Sequence, residues 1–115
     1  VFHSNHPLVN EDKNDVSHRV IERIKNSEAR LTSICGRLGN MSRSMSLDDI
    51  KAALAAHDDL DNPVSREINP NNVGNSIGYT AGSSIYEWGA TPRLHLAAGP
   101  PCETEFEVFE FSASA

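Results

Sequence analysis

The chain has 115 residues, 38% of them apolar and only 6% aromatic, with a formal charge of −6. That length holds one modest domain or part of a larger one, with a thin supply of core side chains. The acidic balance opposes nucleic-acid binding, and no apolar run approaches the roughly 20 residues that a membrane helix needs. No secretion signal is visible, and two cysteines, Cys35 and Cys102, are too few to assign a compartment.

The first eight residues, Val1-Phe2-His3-Ser4-Asn5-His6-Pro7-Leu8, read as the end of a buried strand running into a turn. A polar Asn5-His6 pair at a strand end suits site chemistry, because the strand fixes the backbone while the side chains stay available. From Asp15 to about Leu38 the pattern is helical. Val16, Val20 and Ile24 recur every four residues, and Leu31, Ile34, Cys35 and Leu38 continue the apolar face. Asn26-Ser27 offers a point of division into two helices, and Gly36 and Gly39-Asn40 mark the end. Ser46 then stands as an N-cap before Asp48 and Asp49, opening a helix to about His57 that would bury Leu47, Ile50 and Leu54.

Residues 58–74 are rich in Asp, Asn and Pro and read as a long connection, with Asp58-Asp59-Leu60-Asp61 as a solvated loop. Beyond it the period becomes two. Ile77, Tyr79, Ala81, Ser83 and Ile85 share one face of a strand, and Gly89-Ala90-Thr91-Pro92 turns the chain. Leu94, Leu96 and Ala98 then alternate with Arg93 and His95. Gly99-Pro100-Pro101 breaks that strand, since proline donates nothing to a ladder. Glu105-Phe106-Glu107-Val108 alternates again, with a phase shift at Phe109 and Phe111 that suggests a bulge. Tyr86 and Trp88 are expected to pack or to flank the turn. Helices followed by an antiparallel meander make the fold class α+β. One helical layer on such a sheet leaves the other sheet face bare, so that face must meet something outside this chain.

Ser4-Asn5-His6-Pro7-Leu8, Ser17-His18-Arg19, the strand 79–86 and the run 94–103 (LHLAAGPPCE) together resemble a known family. In order and spacing they are similar to the C-terminal half of the acyl-coenzyme A:6-aminopenicillanic acid acyltransferase-like enzymes. Those are N-terminal-nucleophile hydrolases, related to choloylglycine hydrolases and penicillin V acylases. The resemblance implies an αββα sandwich and a precursor that cleaves itself to expose an N-terminal Cys. The Cys thiol would attack an amide or thioester carbonyl, with its own α-amine as base. Asn5 matches the family's oxyanion-hole Asn, a role in which one preorganised donor is worth about 3 kcal/mol. Arg19, in the Ser-x-Arg pattern, matches an Arg near the active site, where its fork would hold a substrate or catalytic carboxylate. His6 would sit beside it as a substrate contact.

The sequence departs from the family in one respect: neither the nucleophilic Cys nor the Asp and Arg that follow it are present. Residues 1–115 would then be the C-terminal portion of a single Ntn-hydrolase domain, with the nucleophile-bearing part upstream as its partner and inactive without it. The substrate expected is a small-molecule amide or acyl donor, with no cofactor and no metal. The blander alternatives are Asn5 as a turn residue, His6 as a structural hydrogen bonder, and Arg19 in a helix ion pair with Asp15 or Glu22. A zinc set of His3, His6 and a Cys lacks the required spacing. The functional alternative is a non-catalytic module that docks a partner through its sheet face.

Overall fold

The structure, a computed structural model, describes residues 18–41, 43–67 and 78–112, with side chains in the first helix from Ile24 onward. The chain divides into two compact units, Val1–Val64 and Ser65–Ala115. The order of elements is two helices followed by three strands, a small α+β arrangement as the periodicities predict.

In the first unit, α1 (His18–Leu38) is one unbroken helix. The division anticipated at Asn26-Ser27 does not occur, and the side chains show why. Ser27 returns its hydroxyl proton to the Ile24 carbonyl at 3.0 Å, so it bonds within the helix instead of capping a new one. Asn26 is engaged by side-chain bonds alone, donating to Asn62 at 2.9 Å and accepting from Arg30 at 3.1 Å. The helix stops where the Gly39 N–H bonds the Cys35 carbonyl at 2.8 Å. A Cβ on Gly39 would lie 2.6 Å from that oxygen, so the tight exit requires glycine.

The second helix, α2 (Leu47–Leu54), starts where expected. Ser46 accepts from the Asp49 N–H at 3.1 Å, and the Asp49 carboxylate accepts from the Ser46 N–H at 2.8 Å, a complete capping box. It ends short of His57. The Ala56 N–H bonds back to Ala53, and the Ala56 carbonyl accepts from Val64, which turns the chain toward the acidic loop. Among the described residues of this unit, the apolar side chains packed out of water are Leu38, Ala53 and Ala56, and the polar ones are Ser27 and Ser33. Leu47, Ile50 and Leu54, expected to be buried, are only half-buried. On α2 the small Ala53 takes the buried position, and Leu47, Ile50 and Leu54 lie at the margin.

In the second unit, β1 (Ser83–Glu87), β2 (Arg93–Ala97) and β3 (Glu107–Glu110) form an antiparallel sheet in the order β1-β2-β3. Ser83 pairs with Ala97 and Glu87 with Arg93; Leu96 pairs with Glu107 and Arg93 with Glu110. The first strand is shorter than its alternation suggests, because β2 has no ladder to offer beyond Ala97, where the Gly99-Pro100 break begins. Tyr79 and Ala81 precede the strand and are exposed.

The strand phase of β2 is the reverse of the expected one. His95 and Ala97 are buried with Ile85, while Leu96 is exposed and Leu94 half-buried. Every residue of β3 is exposed, and its register with β2 runs unbroken, without the bulge expected near Phe109.

Candidate functional site

Asn5 and His6 lie outside the described residues. Arg19 falls in the first turn of α1, with its side chain outside them. The described residues instead bring together three arrangements that pattern reading passed over.

The first is a polar clamp in the helical unit. Asp58 accepts from Ser33 Oγ at 2.6 Å and from Arg37 through both oxygens, Nε at 2.7 Å and Nη2 at 2.8 Å. Arg37 and Ser33 stand one turn apart on α1, so one helix face presents both donors to one carboxylate. The Arg37 hydrogen bond, and then that from Ser33, hold the Asp58 carboxyl down at about 2, below its ordinary 3.8. Beside it lies an open depression of roughly 500 Å³, lined by Ala29, Thr32, Ser33 and Gly36 as well as the pair itself. Its carboxylate is saturated by donors, so it is a poor proton acceptor; the clamp ties the acidic loop to α1. The adjoining Asp59 caps the loop, accepting from the N–H groups of Asp61 and Asn62, both at 3.0 Å. The run 58–61 is thus solvated, as expected, but pinned.

The second is an uncharged pair in the sheet unit. Ser65 is 0% exposed and donates its hydroxyl to Cys102 Sγ at 3.0 Å, while the Cys102 N–H donates to Ser65 Oγ at 3.2 Å. Cys35 and Cys102 are both free thiols. Cys102 sits in the turn that follows β2, where the N–H groups of Glu103 and Thr104 both bond the Pro100 carbonyl at 2.9 Å. Gly99 makes that turn: its φ is +155°, and a Cβ there would lie 2.6 Å from Thr104 Oγ1. Nearby, Arg66 and Thr80 exchange hydrogen bonds at 3.0 and 3.1 Å, which fixes the chain entering the sheet.

The third is the sheet itself. On one face the buried His95 holds Glu87 through Nε2 at 2.8 Å, and Arg93 bridges Glu110 at 3.0 Å and Glu87 at 3.7 Å. The Nδ1 of His95 is buried and meets no partner among the described residues. The opposite face carries Tyr86, Leu94 and Phe109 in one cross-strand row, by register. Tyr86 is 60% exposed, Phe109 46% and Trp88 81%. The Tyr86 and Trp88 rings stack at 6.3 Å with 15° between their planes. Tyr86 and Trp88 do not pack into a core; Trp88 flanks the turn, the other of the two expectations, and both rings are presented to solvent. Period-two alternation could have located them, since Tyr86, Leu94 and Phe109 fall on the face opposite Ile85 and His95 once the strands are registered.

No family model, curated protein or solved structure matches the chain. Among the described residues, no helix is long and apolar enough to cross a membrane.

Proposed function

We propose that the chain is the C-terminal segment of a cysteine N-terminal-nucleophile amide hydrolase or acyltransferase, completed by a nucleophile-bearing segment of its own precursor. The observation that supports this is the apolar row Tyr86-Leu94-Phe109 across the three strands, with Tyr86 and Phe109 exposed and Leu94 half-buried between them, continued by the exposed Trp88 and Phe111. Among the described residues the sheet hides one face and leaves the other largely bare, as half of a layered fold would. A second layer of sheet on that row would complete an αββα sandwich. The small apolar interior of the two units fits the same idea: among the described residues, Leu38, Ala53, Ala56, Ile85 and Ala97 are the only apolar ones outside glycine and proline that are buried.

The chemistry then follows from the roles carried by the resemblance. The thiol sulfur of the N-terminal Cys bonds the substrate carbonyl carbon, and its proton passes to the α-amine. The carbonyl oxygen becomes an oxyanion, which Asn5 stabilises with its amide N–H. Collapse of the intermediate breaks the carbon–nitrogen or carbon–sulfur bond, and the α-amine returns the proton to the leaving group. Water or an incoming amine then resolves the acyl-enzyme. Arg19 and His6 would contact the substrate, Arg19 through a carboxylate.

Asn5→Ala in the joined enzyme is expected to lower turnover by about 100-fold or more with the fold intact. Turnover close to that of the unmodified enzyme would remove Asn5 from the mechanism. A second reading is supported by the same exposed row: a non-catalytic module that docks a partner protein through it. N-terminal sequencing of the natural protein separates the two. A mature N-terminal Cys on an upstream segment supports the enzyme, and its absence supports the module.

A further inference from the structure

The bare face of the sheet carries Glu107 beside its apolar row, in a unit where carboxylates outnumber cations. The described residues of the sheet unit, 65–67 and 78–112, contain Glu67, Glu87, Glu103, Glu105, Glu107 and Glu110 against two cations, Arg66 and Arg93. Arg93 is already committed to Glu110 and Glu87 on the opposite face. Glu103, Glu105 and Glu107 have no ion pair with any described residue. Glu107 shares the face of Phe109 by register, and Glu105 stands two residues before it. Covering Tyr86, Leu94 and Phe109 with any surface removes water from these carboxylates, and an uncompensated charge makes that costly. A second copy of the chain would bring its own Glu107 to the same interface and add like-charge repulsion. An anionic lipid surface would be repelled in the same way.

We infer that this face docks a cationic polypeptide surface, apolar side chains over the aromatic row with Lys or Arg directed at Glu105 and Glu107. That this surface belongs to the nucleophile-bearing segment rests on the function proposed above; its positive charge does not. The association is therefore salt-sensitive, with the carboxylates steering the encounter and the aromatics holding it.

Trp88, the single tryptophan, is exposed and stacked on Tyr86, so its emission reports occupancy of the face directly. The probes are two peptides of equal length, one alternating Lys and Val and the other alternating Glu and Val. The Lys–Val peptide is expected to shift Trp88 emission to the blue at about tenfold lower concentration than the Glu–Val peptide in about 20 mM salt. The gap should close at about 500 mM salt, and the doubly substituted Glu105→Lys/Glu107→Lys chain should reverse the preference. Equal response to both peptides, preference for Glu–Val, or a blue shift that grows with chain concentration alone would each overturn the inference. In the joined precursor, the same double substitution should lower the unfolding midpoint at low salt and leave it unchanged at high salt. An unchanged midpoint at low salt also overturns it. An upstream segment lacking an N-terminal Cys removes the enzyme and leaves the charge preference standing, so the two failures are distinguishable.

Discussion

The helical unit and the sheet unit solve the same problem of a small core in opposite ways. In the first, charged pairs at the surface tie the loops down, Arg37 with Asp58 and Arg43 with Asp49 at 2.7 Å, beside the uncharged, part-buried bond of Asn26 to Asn62. In the second, the bonds that fix the loops are uncharged, Ser65 with Cys102 above all with Ser65 fully buried, while Tyr86, Leu96 and Phe109 on one sheet face are left in water. Exposed ion pairs contribute little each, whereas a buried polar pair is costly to half-remove. The sheet unit should therefore be the more sensitive to single substitutions, although its visible surface is the less polar of the two.

The strongest test of that contrast is Gly99→Ala. At φ +155° an alanine is strained, and its Cβ would also meet Thr104 Oγ1 at 2.6 Å. A loss of about 2 kcal/mol is expected in urea unfolding followed by circular dichroism. Adding Thr104→Ala should recover the steric part and leave the backbone part. A Gly99→Ala chain as stable as the unmodified one would show that the turn is not the fixed point it is taken to be.

Ser65→Ala comes next. It leaves the Cys102 N–H without its acceptor in a part-buried site, at a cost of about 1–2 kcal/mol. In the helical unit, Ser46→Ala removes one side of the capping box and should cost about 1 kcal/mol, read from the same unfolding curves. If Ser46→Ala proved costlier than Ser65→Ala, the contrast between the units would be reversed.

How far the sequence carries is itself divided along these lines. Wherever a local rule acts alone, the residues announce the structure: Ser46 with Asp49 gives the start of α2, and Gly99-Pro100-Pro101 the end of β2. Ser27 misleads because a serine hydroxyl serves a cap or an i−3 carbonyl equally well; here it bonds the Ile24 carbonyl, while its neighbour Asn26 reaches Asn62, thirty-six positions away. The inverted phase of β2 has a similar origin. Leu94 and Leu96 are the more apolar pair, yet His95 takes the buried face because Glu87, diagonal to it across the ladder, supplies its hydrogen bond. Asp58 looked like one more solvated acid, since its donors stand on a helix more than twenty residues earlier. The bare sheet face was legible in outline from layer counting alone; which residues occupy it depended on register. The candidate catalytic Asn5 rests on the motif in which it stands.

The smallest effect expected is the acid response of the Asp58 clamp, and its sign is fixed. The carboxyl titrates at about 2 in the folded chain and at its ordinary 3.8 when unpaired, so the folded state holds the proton less tightly. The resulting stabilisation is complete above pH 3.8 and is lost as pH falls through about 2. Because the Arg37 and Asp58 side chains are 41% and 45% exposed, solvent screens the pair and the contribution is a few tenths of a kcal/mol. Asp58→Asn should therefore flatten, without abolishing, the fall in urea midpoint between pH 5 and pH 2. Asp49, held low by Arg43 and the Ser46 cap, supplies part of the remaining slope. If Asp58→Asn removed the whole slope, or cost as much at neutral pH as Gly99→Ala, the exposed pair would be the main support of the helical unit, and the contrast with the sheet unit would no longer hold.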